Sequence, residues 1–207
     1  MHSCTRVSED TALRSTSRSR LGLAWLAGAA LAWPAVGSAL PILAIDLDPA
    51  TPGIQTTAQI GVGQQLSFDV VISGVDAGAP LNAFQLQLPF DTTRLSGVSV
   101  AVGPFLVPPT LAIQQGFDPG TALLAATTLG PAGASGAGVL GSIRLEGASP
   151  GTALLELAGV VLSQPFGVEL GVQSLGSAEL VVVPEVGSGV AIGFGLLLLS
   201  LRASRPR

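Results

Sequence analysis

Leu81-Asn-Ala-Phe-Gln-Leu-Gln-Leu-Pro-Phe-Asp-Thr-Thr-Arg-Leu-Ser-Gly-Val-Ser-Val100 decides the fold. Phe84, Leu86, Leu88 and Phe90 alternate with Gln85, Gln87 and Pro89. Successive side chains of an extended chain point to opposite faces, so this alternation predicts a strand with one face on a core and the other toward solvent. Asp91-Thr-Thr93 then supplies a turn, and Leu95–Val102 reads as the next strand. No stretch of the body offers the three-to-four-residue apolar spacing of a long amphipathic helix.

The same period extends in both directions. Leu66, Phe68, Val70 and Ile72 alternate with Ser67, Asp69, Val71 and Ser73. Further strands are predicted at Ala44–Leu47, Ala122–Thr128, Val139–Glu146, Ala153–Leu157, Val160–Ser163, Val168–Val172 and Ala178–Val183. Turn signals separate them: Asp48-Pro49, Thr51-Pro-Gly53, Asp76-Ala-Gly78, Pro108-Pro109, Asp118-Pro-Gly120 and Ser149-Pro-Gly151. Gly130–Gly138 reads as the most flexible insert, a bulge or a long loop. About ten short strands must cover one apolar sheet face with another, which predicts an all-β, antiparallel, jelly-roll-like β-sandwich over residues 42–183.

A chain of 207 residues allows one domain with processed ends. Charged residues are 11% of it and the mean hydropathy is +0.62, which excludes a disordered, highly charged chain. Every basic residue is Arg, and only Arg94 and Arg144 fall in the body, the reverse of a nucleic-acid surface.

The two ends carry their own signals. Arg14, Arg18 and Arg20 precede the apolar run Leu21–Trp33, Pro34 breaks it, and Gly37 and Ala39 stand where a signal peptidase accepts small residues. Residues 1–39 therefore read as a signal peptide cleaved after Ala39, with Ala44 as a second choice. The alternative is a retained membrane helix, but Leu21–Trp33 is short of the ~20 residues that cross a bilayer. Cleavage would remove His2 and Cys4, the only His and Cys of the chain. Cys4 precedes the apolar run, so it is not a lipoprotein acylation site. At the other end Val183, Pro184 and Glu185 are followed by an uncharged stretch, Val186–Leu201, about 24 Å long as a helix. A transmembrane helix is expected at 187–201, with Arg202, Arg205 and Arg207 holding its far end in the cytoplasm. A buried C-terminal helix is the other reading, and it leaves the Arg cluster unexplained.

Without His or Cys the exported protein has no Ser-His-Asp triad, thiol nucleophile, disulfide or ordinary zinc site. Carboxylate pairs for glycoside hydrolysis remain among Asp46, Asp48, Asp69, Asp76, Asp91, Asp118, Glu146, Glu156, Glu169 and Glu179. Blander roles account for most of these: Asp48, Asp91 and Asp118 cap turns, while Asp69, Glu146, Glu156 and Glu169 alternate with core residues and face solvent. No catalytic residue, cofactor or dedicated metal site is expected. Weak calcium binding by Asp46 and Asp48 with Asp76, Asp91 or Asp118 stays open, since loop carboxylates are the hard ligands that ion takes. The excess of carboxylates over Arg94 and Arg144 opposes binding to nucleic acid or anionic polysaccharide. Tyr is absent and both Trp residues, Trp25 and Trp33, lie in the signal segment. Phe68, Phe84 and Phe90 take core-facing positions, so any sugar binding falls to polar side chains or to Phe105, Phe117 and Phe166.

Two resemblances follow from these residues. Val183-Pro-Glu185, the apolar helix and the Arg-rich end resemble the PEP-CTERM sorting signal of Gram-negative bacteria, with Val186 where that family usually has a second proline. That resemblance implies an exosortase-type partner, a transient inner-membrane anchor, and delivery to the cell surface or the exopolysaccharide matrix. Gly63–Ser73, Leu81–Val100, Gly103-Pro-Phe-Leu106, Gly138–Leu145 and Gly151–Leu162 resemble, in order and spacing, a cohesin-like module related to cellulose-binding domains. The resemblance implies a non-enzymatic binding module. In that family a sheet face grips a dockerin helix pair, which places Gln85, Gln87 and Arg94 near a candidate binding face. The expected partner is a surface protein or, on the carbohydrate-binding reading, a matrix polysaccharide. A periplasmic protein that keeps its membrane anchor is the third reading.

Overall fold

The computed structural model describes residues 40–185. The signal segment with its cleavage position Ala39, the helix expected at 187–201, and Arg202, Arg205 and Arg207 lie outside the described residues. The described chain runs through β1 (Ile42–Asp46), β2 (Thr57–Gly61), β3 (Gln65–Val75), β4 (Ala83–Pro89), β5 (Leu95–Val102), β6 (Thr110–Asp118), β7 (Thr121–Thr128), β8 (Gly136–Gly147), β9 (Gly151–Glu156), β10 (Ala158–Ser163), β11 (Glu169–Leu170), β12 (Ser174–Leu175) and β13 (Ser177–Val183). A single 3-10 turn, Pro165–Gly167, is the one helical element among the described residues.

One sheet has the order β12-β1-β3-β8-β5, the second β11-β10-β4-β7-β6, and a three-stranded sheet β2-β13-β9 completes the body. The alternation read from the sequence becomes the core. Phe68, Val70 and Ile72 of β3 and Ile143 and Leu145 of β8 come from the first sheet, Phe84, Leu86, Leu88 and Leu124 from the second, and Leu155, Leu180 and Val182 from the third. Burying one face of each sheet against the others is the hydrophobic stabilisation of this domain.

The strands predicted around 44–47, 66–73, 84–90, 95–102, 122–128, 139–146, 153–157, 160–163 and 178–183 form, with ends shifted by a few residues. Four expectations need correction. The sandwich is not wholly antiparallel: β1 pairs with β12 and β13 with β2 in parallel. Strands β2, β6 and β12 had no clear period-two signal; β6 is exposed along nearly its whole length and shows no buried stripe. The strand expected at Val168–Val172 shrinks to Glu169–Leu170, because the chain leaves β11 for the neighbouring β12. Gly130–Gly138 is tied down. Leu81 and Ala134 exchange both backbone hydrogen bonds, at 2.8 and 2.7 Å, and Asn82 Nδ2 donates to the carbonyls of Gly130 and Ala132. From Gly136 the chain has already entered β8.

Chain direction along β3 sets the two ends of the body. Leu40 and Pro41 lie beside Gly74 at the end of β3. Val183 closes the opposite end, its carbonyl accepting from Val62 N at 3.1 Å.

Candidate functional site

The second sheet presents its outer face through the alternate residues of β4. Phe84, Leu86 and Leu88 point into the core, so Ala83, Gln85, Gln87 and Pro89 point out. Cross-strand register carries this face sideways. Gln85 stands opposite Val161 of β10 and Ala125 of β7, and Gln87 opposite Ala158 and Leu123. Ala125 in turn faces Gln114 of β6, where a bulge at Ala112–Gln114 gives Ile113 no partner in the ladder.

The result is a shallow depression of about 190 Å³ lined by Ala83, Gln85, Ile113, Ala125, Val161 and Ser163. Ala125 forms the floor at 5% exposure, while Val161 and Ile113 rise as walls at 45% and 65%. Gln85 stands between them as the amide of the row. The row from Val161 to Ile113 has no ionisable group, so it has apolar contact and amide hydrogen bonding to offer and no means of proton transfer. Gln87 is half-buried, with its amide lying over Gly159 at the bulge of β10. Ile113 and Val161 escaped the sequence reading because Ile113 is placed by a bulge and Val161 by the register of β10 on β4. The run Leu111-Ala-Ile113, apolar at both odd positions, was the one signal that could have flagged β6.

Arg94 is not in this row. It belongs to the turn that enters β5, where its guanidinium donates to the Pro150 carbonyl and lies 3.9 Å from Asp91. Ser149 Oγ donates to the Thr93 carbonyl at 2.5 Å, so two turns are clamped together at this end. Hydrogen bonds from the Thr93 hydroxyl and amide hold the Asp91 carboxyl below the usual carboxylate range, and Arg94 adds to that while desolvation opposes it. A lowered folded value means that Asp91 contributes stability above the ordinary value of 3.8, and that this is lost as the pH falls through the lowered one. Asp91→Asn is expected to be less stable than the parent at neutral pH and equally stable in strong acid, as read by denaturant midpoints across that range.

The other carboxylates have local roles. Asp46 is buried and accepts from the Asp48 and Gln55 amides, Asp48 accepts from Thr51 Oγ1, and Asp76 accepts from Gly78 N. Asp69, expected to face solvent, is half-buried beneath Ser142, which donates to it at 2.5 Å. Among the described residues no three His, Cys, Asp or Glu side chains gather as metal ligands.

The three Phe residues left for stacking part company. Phe105 is half-buried against Gly138, and Phe117 packs on Gly97 and edge-on against Phe90, 5.9 Å between centroids. Phe166 stands 96% exposed at the tip of the β10–β11 hairpin, in the left-handed region at φ 68°. Left-handed backbone strains a residue with a Cβ, and exposing a benzyl group gains nothing for folding.

The chain matches no protein-family model and no curated protein sequence. Its fold matches solved cohesins. It is similar to the cohesin module of a family 33 glycoside hydrolase from Clostridium perfringens, at 13% identity and TM-score 0.56, over 71% of this chain and 99% of that one. The non-cellulosomal cohesin of Archaeoglobus fulgidus gives 15% and 0.54, over 75% and 98%. The sixth cohesin of scaffoldin B from Acetivibrio cellulolyticus, solved in complex with a Cel5 dockerin, gives 15% and 0.53, over 70% and 99%. At these identities the likeness establishes a cohesin-like β-sandwich.

Proposed function

We propose that this chain is an exported, non-enzymatic binding module that uses the outer face of the β11-β10-β4-β7-β6 sheet to hold another protein. The observation that carries the proposal is the uncharged row Val161–Gln85–Ala125–Ile113, with large apolar side chains left in solvent beside a shallow hollow. A cohesin solved with a dockerin bound shares the fold, which supports a protein as the partner. Gln85 lies at the centre of this surface and Gln87 at its margin, while Arg94 serves the clamp at the end of the sandwich.

In the same proposal the domain is delivered through its C-terminal box. Val183 still pairs in β13, whereas Pro184 and Glu185 are exposed where the sheet ends, open to an exosortase-type enzyme. The destination is the cell surface or extracellular matrix of a Gram-negative bacterium, after passage through the inner membrane.

The test places a photo-crosslinking residue at Gln85, with Ser67 on the outer face of β3 as the control position. Cells of the native host should yield one discrete crosslinked protein from Gln85 and none from Ser67. Equal labelling from both positions, or none from Gln85, overturns the reading. Intact mass of the product from surface fractions should show both ends removed; a chain kept in the inner membrane with its tail would make it a periplasmic anchored domain.

Phe166 favours a second reading, a carbohydrate-binding module, since it is a free aromatic plane. On that reading Phe166→Gly, which removes the left-handed strain, abolishes signals on a glycan array while the melting temperature stays level or rises. A blank array with the parent protein removes this reading.

A further inference from the structure

The outer face of the first sheet holds an apolar hollow of about 430 Å³, on the other sheet from Gln85. Ile42 and Ala44 of β1, Val71 of β3 and Val139 of β8 line it, pointing away from the core that Leu43, Ile45, Val70 and Leu140 fill. Ala44 stands opposite Val71 and Val71 opposite Val139, so the floor is one cross-strand row. Ile54 makes a wall. The loop that carries it is closed by Leu47 N donating to Gln55 O at 2.8 Å, and by the buried Asp46 carboxylate, which accepts from the Asp48 and Gln55 amides at 3.2 Å. Ile42 and Ile54 stay 39% and 48% exposed, and no side chain lining the hollow is ionisable. Leaving such a surface in water gains nothing for folding.

The same chain carries a projection that fits it. Phe166 stands in left-handed backbone at the tip of the β10–β11 hairpin, too exposed to be covered within its own chain. The tip Gln164–Val168 has no ionisable side chain either, and Val168 is also exposed. We infer that Phe166 of one copy seats in the Ile42–Ala44–Val71–Val139 hollow of a second copy. An apolar cavity of roughly 150 Å³ already admits a benzene ring, so the hollow has room for the benzyl group. Charge selects this pairing: copies of an acidic body repel one another, and contact between two uncharged patches strips water from no carboxylate. The contact is heterologous, so each pair keeps one free tip and one free hollow, and growth continues past a dimer. One ring in one hollow buries far less than the ~800 Å² per partner of a standard interface, so association is weak in solution and gains from crowding on a surface. Ser67 stands roughly 13 Å along β3 from Val71, clear of a hairpin tip, and Gln85 is on the other sheet. The crosslink at Gln85 and the association measured here therefore fail independently, and sugar stacking on Phe166 would not need the hollow.

The test separates tip from hollow, on the full-length chain in lipid nanodiscs, one copy per disc, so that no detergent competes for the hollow. Light scattering follows the mass as concentration rises. Parent discs should grow past pairs. Phe166→Gly removes the tip, Ala44→Phe fills the hollow from its floor, and Val71→Lys puts a charge in it; each should weaken association at least tenfold. An equimolar mixture of Phe166→Gly, which keeps a hollow, with Ala44→Phe or Val71→Lys, which keep a tip, should recover association and stop at pairs. Ser67→Lys should behave as the parent does. Parent discs that stay single to millimolar concentration, growth that survives Phe166→Gly or both hollow variants, or mixtures that stay single or grow past pairs would each overturn the inference.

Discussion

Replacing Phe68 with Ala is expected to cost about 3–5 kcal/mol, the range for deleting a buried aromatic ring. Phe68 is fully buried in the first half of β3, opposite Ile143 of β8, and it is the largest of the fully buried side chains among the described residues. It shares one apolar cluster with Leu86 and Leu124 of the second sheet. Interiors packed to crystal density relax only partly around a deletion, so the cost combines lost transfer free energy with an unfilled cavity. Against a domain stability of about 5–15 kcal/mol this removes a large share. Urea denaturation of the variant should show a lowered midpoint with an unchanged slope. An effect below about 1 kcal/mol would mean that the sandwich core is not packed as described. Phe166 is the same residue type at the opposite extreme of exposure, and its replacement by Gly should not lower the midpoint.

Gly103→Ala is the second large effect, and its cause is space. A Cβ at Gly103 would overlap the Val139 carbonyl oxygen and stand 2.8 Å from the Val139 carbonyl carbon and 2.9 Å from that of Leu140. These are backbone atoms of β8, so no side-chain rotation relieves the clash. The chain crosses here because Gly103 N donates to Leu140 O at 2.7 Å and Phe105 N to Val139 O at 3.0 Å. A methyl group would push both bonds apart and lift Phe105 from Gly138, where the ring occupies the space that a Cβ would need. Overpacking of this kind costs about 1–3 kcal/mol, and the upper end is expected where the obstacle is backbone. Thermal unfolding would register the loss, and hydrogen exchange should localise it to the amides of residue 103 and Phe105, the donors of those two bonds. A variant as stable as the parent would show that β5 does not cross β8 at that distance.

The candidate site was legible in part. The exposure of Gln85 follows from its place between Phe84 and Leu86, and its neighbours Val161, Ala125 and Ile113 do not. Period two tells which face of a strand a residue takes, while the partner across the ladder depends on register, and register is a property of two strands together. Arg94 illustrates the same limit from the other side. A lone cation in a polar turn reads as a surface group, and only the approach of the Ser149–Gly151 turn makes it a clamp.

By itself the sequence determined the all-β class, the existence of the strands with a buried stripe, the turns between them, and the absence of thiol and imidazole chemistry outside residues 1–39. Those are local properties, written in alternation, in turn residues and in composition. Tertiary structure alone decided the parallel pairings of β12 and β2, the pinning of Gly130–Gly138 through Ala134, the freedom of Phe166, and the edge position of β6. A strand exposed on both faces carries no periodic signature, and whether an edge is covered depends on what folds beside it.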